Sequence, residues 1–333
     1  MPFSRKGRFV AIAAAAAVVA VGGVGVIATQ TGGAERGTAR AEARNEAVSP
    51  APAAKMESLT AEGAASTNNR VYFVHGYDGD SKKDCGQTWD KALSYFAKRG
   101  WPTDSLKTVG YYKADTNCDV SVSDGTNETR IKNIAADFAN YIYDNHTSKG
   151  ESIDIVAHSM GGLVTRVALL GSAKGWDGFP QGPLKVGDVA TLGTPHQGVI
   201  CEDDQGDGED NCPNTTQWLS MDPDSEFMRV LHLPENQLGE QWAAGTDWTL
   251  VASDEDATVS GPSAMDKGHY ADHKFRYLPG SKNTVTHSGI RELGSGTYNL
   301  RYWHASEGES HDTTNGWAPV KAAYNAVYHD GDW

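Results

Sequence analysis

The sequence lacks a basic segment beyond its first residues, and it lacks internal repeats. Its 333 residues include 29 Lys or Arg and 43 Asp or Glu, which gives a net charge of −14. A nucleic-acid-binding surface would need a basic patch or stripe, whereas an acidic surface mainly favours solubility. We therefore expect no nucleic-acid partner, and the missing repeats exclude a solenoid.

Apart from the N-terminus, no apolar run approaches the length of a membrane span. Residues 9–27 are rich in Ala, Val and Gly and follow three basic residues, which is typical of a secretory signal. A run of this length could also anchor the chain in a membrane, but its many Ala and Gly residues make a weak anchor. We predict a cleaved export signal over residues 1–28 and a secreted protein, with a membrane anchor as the alternative.

Residues 29–67 lack apolar periodicity. They are alanine-rich and charged, and Pro50 and Pro52 interrupt them, so we interpret them as a linker or pro-segment. The folded catalytic domain is then predicted over residues 68–333. No cysteine lies near the candidate cleavage sites at Ala28 and Ala41, so a lipid anchor is not indicated.

The four cysteines lack the close Cys-x-x-Cys spacing of a zinc site. An even number of cysteines in an exported chain instead indicates disulfides. Of the three pairings, we favour Cys85–Cys118, which would join two loops on one side of the sheet. The second pair, Cys201–Cys212, would then close a short acidic loop.

From Asn69 onwards, short apolar runs of β-formers alternate with helix-period stripes, which predicts a mostly parallel sheet flanked by helices. Strands are predicted at residues 70–74, 106–112, 152–158, 185–192, 248–253 and 275–278, the last of the sheet. Helices are predicted at residues 89–99 and 128–143, and from the end of the 152–158 strand through Leu170.

Ser159 occupies the turn of a nucleophile elbow. The apolar strand ends in Ala157-His158-Ser159-Met160-Gly161-Gly162, and a helical segment follows at once. This layout lifts the serine hydroxyl above the sheet edge on a strained turn, with small residues where strand and helix pass closely. Alanine replaces the usual first glycine and is the next smallest side chain.

An oxyanion donor, an acid and a base are predicted at the ends of other strands. His75-Gly76-Tyr77 follows the 70–74 strand, and the backbone N–H of Tyr77 is the candidate donor. Asp256 is the candidate acid, because it lies at a strand end in an Asp-x-x-Val segment, and Asp254 is the alternative. His287, in the loop after the 275–278 strand, is the candidate base. His196 precedes every candidate acid and is interpreted as a wall of the site, with a role as base as the alternative.

Residues 201–246 contain no clear strand. Their apolar residues predict either a cap over the site or ordinary packing. The acidic loop between Cys201 and Cys212 is expected to be solvated, with a structural calcium ion as the alternative. Its third ligand position and its terminal glutamate do not fit a calcium-binding loop.

Together these motifs resemble a secreted bacterial lipase or esterase of the α/β-hydrolase superfamily, of the class 2 type and actinobacterial in its export segment. The Thr-Pro-His-x-Gly turn at residues 194–198 is its most family-specific piece, and the resemblance covers residues 69–293. It implies an α/β-hydrolase fold and a Ser159–His287–Asp256 triad, with the oxyanion held by the backbone N–H groups of Tyr77 and Met160.

The implied activity is hydrolysis of carboxylic esters, lipid acyl esters in particular, by an acyl-enzyme route. An esterase for short soluble esters, an amidase and an acyltransferase are alternatives on the same site, and a non-catalytic binding protein is a further one. We expect no cofactor and no metal in the active site, a transient contact with lipid interfaces, and a monomer.

Overall fold

The structure, a computed structural model, describes residues 69–201 and 212–329. The predicted export signal, the linker and the acidic loop lie outside these residues. No helix within the described residues is both long and apolar enough to cross a membrane. Both predicted disulfides are present, with Cα–Cα distances of 4.9 Å for Cys85–Cys118 and 5.8 Å for Cys201–Cys212.

Nine strands form one sheet within the described part of the chain, in the order β3-β2-β1-β4-β5-β6-β7-β8-β9. The strands are β1 (Arg70–Val74), β2 (Leu106–Tyr112), β3 (Val120–Gly125), β4 (Ile153–His158), β5 (Val186–Leu192), β6 (Asp247–Ser253), β7 (His273–Tyr277), β8 (Tyr298–His304) and β9 (Ser310–Gly316). Strands β1 to β7 pair in parallel, and β8 and β9 are antiparallel additions at one edge. The predicted mostly parallel sheet of an α/β-hydrolase fold is confirmed.

Helices cover both faces of this sheet. They are α1 (Cys85–Ala97), α2 (Ile131–Asn145), α3 (Met160–Ala173), α4 (Thr216–Ser220), α5 (Glu226–Leu231), α6 (Gly261–Ala264) and α7 (Pro319–Tyr328). Side chains of β1 alternate between the two cores. Tyr72 packs with α2, in the core that also holds α3, whereas Phe73 packs with α1, in the core that also holds α7. A strand buried on both faces needs apolar residues at every position, which explains its unbroken apolar run.

Two expectations about the sheet were wrong. The 275–278 segment is not its last strand, because β8 and β9 follow β7, and strand β3 was not predicted at all. Strands β3, β8 and β9 were all missed. Strand β8 lies inside the sheet and alternates buried with less buried residues, a period-2 pattern that the prediction overlooked. Strands β3 and β9 form the two edges of the sheet and are largely polar, with sequences VSVSDG and SHDTTNG. Edge strands pair through their backbone and need no apolar side chains on both faces, so hydrophobic patterning does not reveal them.

Candidate active site

The carboxyl ends of four parallel strands converge at Ser159. This serine directly follows β4 and has φ 54° and ψ −133°. A non-glycine residue with positive φ is strained and persists where the surroundings enforce it. Here the Ser159 N–H donates to the carbonyl of Leu192 at the end of β5, and helix α3 begins at the next residue.

Ser159 and His287 are in hydrogen-bond contact, although 128 residues separate them. The Ser159 Oγ lies 3.0 Å from His287 Nε2. His287 Nδ1 lies 2.7 Å from Asp256 Oδ2. The structure thus joins the predicted nucleophile, base and acid in one chain of hydrogen bonds. A carboxylate partner at Nδ1 leaves Nε2 free to accept a proton from the serine.

The turn after β6 selects Asp256 over Asp254 as the carboxylate beside His287. The other oxygen of Asp256 accepts the backbone N–H groups of Thr258 and Val259 at 2.8 and 2.9 Å. Asp254 points elsewhere, because its carboxylate pairs with Arg276 at 2.7 Å. The Asp-x-x-Val spacing therefore corresponds to a turn that satisfies one carboxylate oxygen and presents the other to the histidine.

Glycines allow the loop after β1 to approach the serine. A Cβ added to Gly76 would lie 2.6 Å from Ser159 Cβ, so no side chain fits there. Tyr77, the predicted oxyanion donor, is the next residue. Among the described residues, the backbone N–H groups of Tyr77 and Met160 have no hydrogen-bond partner within the protein. Met160 is also the first residue of α3, where the helix dipole favours negative charge.

The Gly-Thr-Pro-His turn after β5 supports this arrangement in a way that sequence reasoning missed. The Thr194 hydroxyl donates to the carbonyl of Ser159 at 2.9 Å and fills the space left by Gly162. Gly193, with φ 57°, lies against the Asp256–His287 pair. His196, interpreted as a wall of the site, is fully buried, and its Nε2 bonds to Thr191 at 3.0 Å. Burial lowers the pKa of His196 to about 3.

The contact between His158 and His287 is a second feature of the site that the elbow motif around Ser159 did not reveal. Its Nε2 lies 2.7 Å from the backbone carbonyl of His287, and the two rings are 4.7 Å apart. A carbonyl oxygen only accepts, so His158 must donate through Nε2. Burial, followed by the charge of His287, holds the pKa of His158 well below its usual value. A neutral His158 therefore holds the backbone of His287.

Residues 213–246 are firmly packed on the core, as one of the two sequence expectations proposed. The Tyr77 hydroxyl meets Thr215 Oγ1 at 3.0 Å, and the Tyr77 and Trp218 rings are 5.4 Å apart. Gln217 is fully buried and accepts from the Tyr112 hydroxyl at 2.6 Å. The carbonyl of Leu231, at the end of α5, accepts a hydrogen bond from the buried guanidinium of Arg166 on α3 at 3.1 Å.

A cavity of about 740 Å³ borders Asp256 on the side of this insertion. Its lining includes Val199, Ile200, Trp218 and Pro262. Ile200 is 70 % exposed, and Leu219, beside Trp218, is 54 % exposed. Gln197, Thr258, Ser260 and Ser263 also line it, so its walls are about equally polar and apolar. A cavity of this size suits a small organic ligand.

Residues 66–221 match the family profile of the PGAP1-like alpha/beta domain. Comparison with curated proteins gives no match. Similar solved structures include Aspergillus fumigatus lipase B, at 14% identity and a TM-score of 0.49, covering 81% of this chain and 56% of that one. Bacillus licheniformis lipase BlEst2 in its mature form has 18% identity and a TM-score of 0.38, covering 60% and 70% of the two chains.

A Listeria innocua gene product is similar at 12% identity and a TM-score of 0.42, covering 79% of this chain and 96% of that one. This chain covers 56% of the length of the Aspergillus lipase, little more than half. Likeness at these identities concerns the fold. With TM-scores below 0.5, these neighbours assign this chain neither an activity nor a substrate.

Proposed function

We propose that this protein is a secreted serine hydrolase that cleaves carboxylic esters, lipid acyl esters in particular, through an acyl-enzyme intermediate. The observation that carries the proposal is the chain of hydrogen bonds from Ser159 through His287 to Asp256, at 3.0 and 2.7 Å. Ser159 is 8 % exposed and the His287 side chain 20 %, so a substrate can reach both.

In the proposed mechanism, His287 Nε2 takes the proton of Ser159 as its Oγ attacks the ester carbonyl carbon. Asp256 holds the imidazole in the required tautomer and stabilises the imidazolium. The backbone N–H groups of Tyr77 and Met160 hold the oxyanion, and one such donor can lower the barrier by about 2.7–4 kcal/mol. His287 then protonates the leaving alcohol, and water deacylates the serine by the reverse sequence.

Val199, Ile200, Trp218 and Pro262, in the lining of the cavity beside Asp256, offer apolar contacts for the acyl part of an ester, which supports an acyl ester as the substrate class. The two disulfides support a working environment outside the reducing cytosol. A transient lipid contact is proposed for the side that exposes Ile200 and Leu219, and the protein is proposed to act as a monomer without a cofactor. Residues 1–28 are proposed as the export signal and 29–67 as the linker that precedes the catalytic domain.

The test combines a serine probe with a chain-length series. A fluorophosphonate should label the wild-type protein and fail to label Ser159→Ala, and the variant should lose p-nitrophenyl ester hydrolysis without unfolding. Ester hydrolysis at the wild-type rate in Ser159→Ala would rule out the proposed nucleophile. Comparing acetyl, octanoyl and palmitoyl esters, with and without an emulsion interface, then separates a lipase from an esterase for short soluble esters.

A further inference from the structure

His75, which precedes the predicted oxyanion donor, has an acceptor at each ring nitrogen. The side chain is fully buried. Its Nε2 lies 3.0 Å from Asp115 Oδ2, and its Nδ1 lies 2.8 Å from the carbonyl oxygen of Gly76. A carbonyl oxygen and an ionised carboxylate only accept hydrogen bonds. Donation to both acceptors requires a hydrogen on each ring nitrogen, which is the imidazolium form of the side chain.

Asp115 has the contacts of an ionised partner for this cation. Besides His75, its carboxylate accepts the backbone N–H groups of Lys83 at 2.7 Å and of Tyr111 and Tyr112 at 2.9 Å. Burial alone raises the pKa of Asp115, but the hydrogen bonds and the charge of His75 hold it below its usual value. A buried cation needs such a partner, because an unpaired buried charge is strongly unfavourable.

The Gly76 carbonyl and the Tyr77 N–H belong to one peptide group. That group is planar, so fixing the direction of the carbonyl also fixes the direction of the N–H. The Tyr111 hydroxyl lies 2.7 Å from the same carbonyl and 2.8 Å from the carbonyl of His75. The single Tyr111 hydrogen is therefore shared between the two carbonyls, while His75 Nδ1 donates to the Gly76 carbonyl alone. Gly76 itself packs against Ser159.

We propose that His75 is a positioning residue whose imidazolium orients and polarises the Gly76–Tyr77 peptide, so that the Tyr77 N–H serves as a strong oxyanion donor. The role deepens the proposed ester hydrolysis and rests on it. A cation bonded to the carbonyl end of a peptide withdraws electron density and strengthens its N–H as a donor. A donor fixed in advance needs no reorganisation when the oxyanion forms.

The protonation state of His75 can be measured without any substrate. The measurement is made at pH 7.5, where a histidine side chain exposed to water is mostly neutral. In protein labelled with ¹⁵N-histidine, we expect both His75 ring nitrogens to show imidazolium shifts and bound protons at this pH. A nitrogen without a proton would overturn the proposal, even if the protein hydrolyses esters.

The other titratable groups around the His75 ring are few. Asp115 is its direct partner, and the Asp78–Lys83 ion pair, at 2.9 Å, lies in the adjoining loop. The rings of Tyr111 and Tyr112 stand 4.0 and 5.6 Å from His75, and burial raises the pKa of both hydroxyls. Both tyrosines therefore stay neutral at pH 7.5, and Asp115 carries the charge nearest to the imidazolium.

The kinetics of His75→Gln test whether His75 positions the Tyr77 N–H, and His146→Gln is the matched control. His146 is also buried and bonds to a carboxylate, that of Glu151 at 3.1 Å, but it lies before the amino end of β4, away from Ser159. We expect His75→Gln to lower kcat by roughly 10- to 100-fold, less than deleting a donor outright, with KM nearly unchanged. The control should keep the wild-type kcat.

A trifluoromethyl ketone inhibitor forms an oxyanion on the serine, so its inhibition constant should rise by the same factor as kcat/KM falls. Tyr111→Phe leaves the imidazolium in place and should lower kcat by less than His75→Gln. A folded His75→Gln variant with wild-type kcat would overturn the proposal, and so would a larger loss in Tyr111→Phe. If the wild-type protein hydrolyses no ester, the proposed function fails, while the ¹⁵N measurement still decides the charge of His75.

Discussion

Asp254 and Asp256 lie two residues apart on the same turn, yet they have different partners. Asp256 bonds to His287 and to two backbone N–H groups. Asp254 forms a partly exposed ion pair with Arg276, and such pairs contribute about 0–1 kcal/mol to stability. The difference in their roles therefore follows from their partners and not from their charge.

The two aspartates can be compared by single substitutions. Asp256→Asn should lower kcat by roughly 10⁴-fold, because an amide favours the wrong histidine tautomer. Asp254→Asn should stay close to the wild-type kcat. Steady-state kinetics on a p-nitrophenyl ester measure both, and a greater loss in Asp254→Asn would contradict the assignment.

His158 offers a second test at the residue scale. His158→Leu removes the donor to the His287 carbonyl, and a catalytic group misplaced by about 1 Å can cost up to about 100-fold in rate. We expect kcat to fall within that limit, with KM largely retained. His158→Gln can place an amide N–H near the same carbonyl and should recover part of the loss. An equal fall of kcat in the two variants would show that the hydrogen bond from His158 to the His287 carbonyl does not support catalysis.

At the scale of elements, the site depends on how closely α3 approaches the end of β1. A Cβ added to Gly161, in the first turn of α3, would collide with the backbone carbonyl oxygens of Val74 and His75. Backbone atoms cannot rotate away as a side chain can. Helix and strand would therefore have to separate, and the Tyr77 peptide would move relative to Ser159.

Gly161→Ala should accordingly lower both stability and activity. Overpacking of this kind costs about 1–3 kcal/mol, which urea unfolding can measure alongside kcat. Gly245→Ala is the control, because nothing lies within 4 Å of the added Cβ. Equal stabilities of the two variants would contradict the close approach of α3 to β1.

The Cys85–Cys118 disulfide fastens the loop that carries Asp115 to the start of α1. The Cys85 N–H also donates to the carbonyl of Thr116 at 2.9 Å, so the two segments meet through backbone and disulfide together. The bridge spans 33 residues, whereas Cys201–Cys212 spans 11. A longer closed loop restricts the unfolded chain more.

Replacing Cys85 and Cys118 by Ala should therefore lower the free energy of unfolding by about 2–4 kcal/mol. The same change at Cys201 and Cys212 should cost about 1 kcal/mol less. Urea unfolding of the two double variants compares them directly. A greater loss from opening the Cys201–Cys212 loop would contradict this ranking.

At the scale of the whole molecule, buried neutral histidines set the response to acid. Burial lowers the pKa of five of them: His146, His158, His196, His304 and His329. For His196 and His304 the pKa falls to about 3. In the unfolded chain these groups bind protons below about pH 6.5, whereas the folded protein does not, so acid favours unfolding.

The free energy of unfolding should therefore fall as the pH drops from 6.5 towards 5. One such histidine supplies a slope of up to about 1.4 kcal/mol per pH unit, and a loss of at least that size is expected over this window. Most carboxylates remain ionised above pH 5, so they contribute little there. Urea unfolding at pH 7.5, 6.5 and 5.5 tests this, and equal stability at all three would contradict it.

Sequence by itself predicted strands β1, β2 and β4 to β7 and favoured the two disulfide pairings that the structure contains. It also singled out Ser159, His287, Tyr77 and Met160 as candidate site residues and favoured Asp256 over Asp254. These follow from local patterns: apolar runs for buried strands, small residues at a tight turn, and polar residues at strand ends. Strands β3, β8 and β9 were not predicted. For β3 and β9 the reason is that backbone pairing at a sheet edge requires no apolar pattern.

Tertiary structure alone decided which aspartate meets His287 and which side chains hold the site in place. The contacts of His75 with Asp115, of Thr194 with the Ser159 carbonyl and of His158 with the His287 carbonyl join residues from different strand ends. The contacts of Thr194 and His158 end on backbone carbonyls, which every residue carries, so no residue type marks their acceptors in the sequence. The His75–Asp115 pair joins side chains 40 residues apart, which only the fold brings together. The charge of His75 likewise follows from its two acceptors, which only the folded chain brings to its ring.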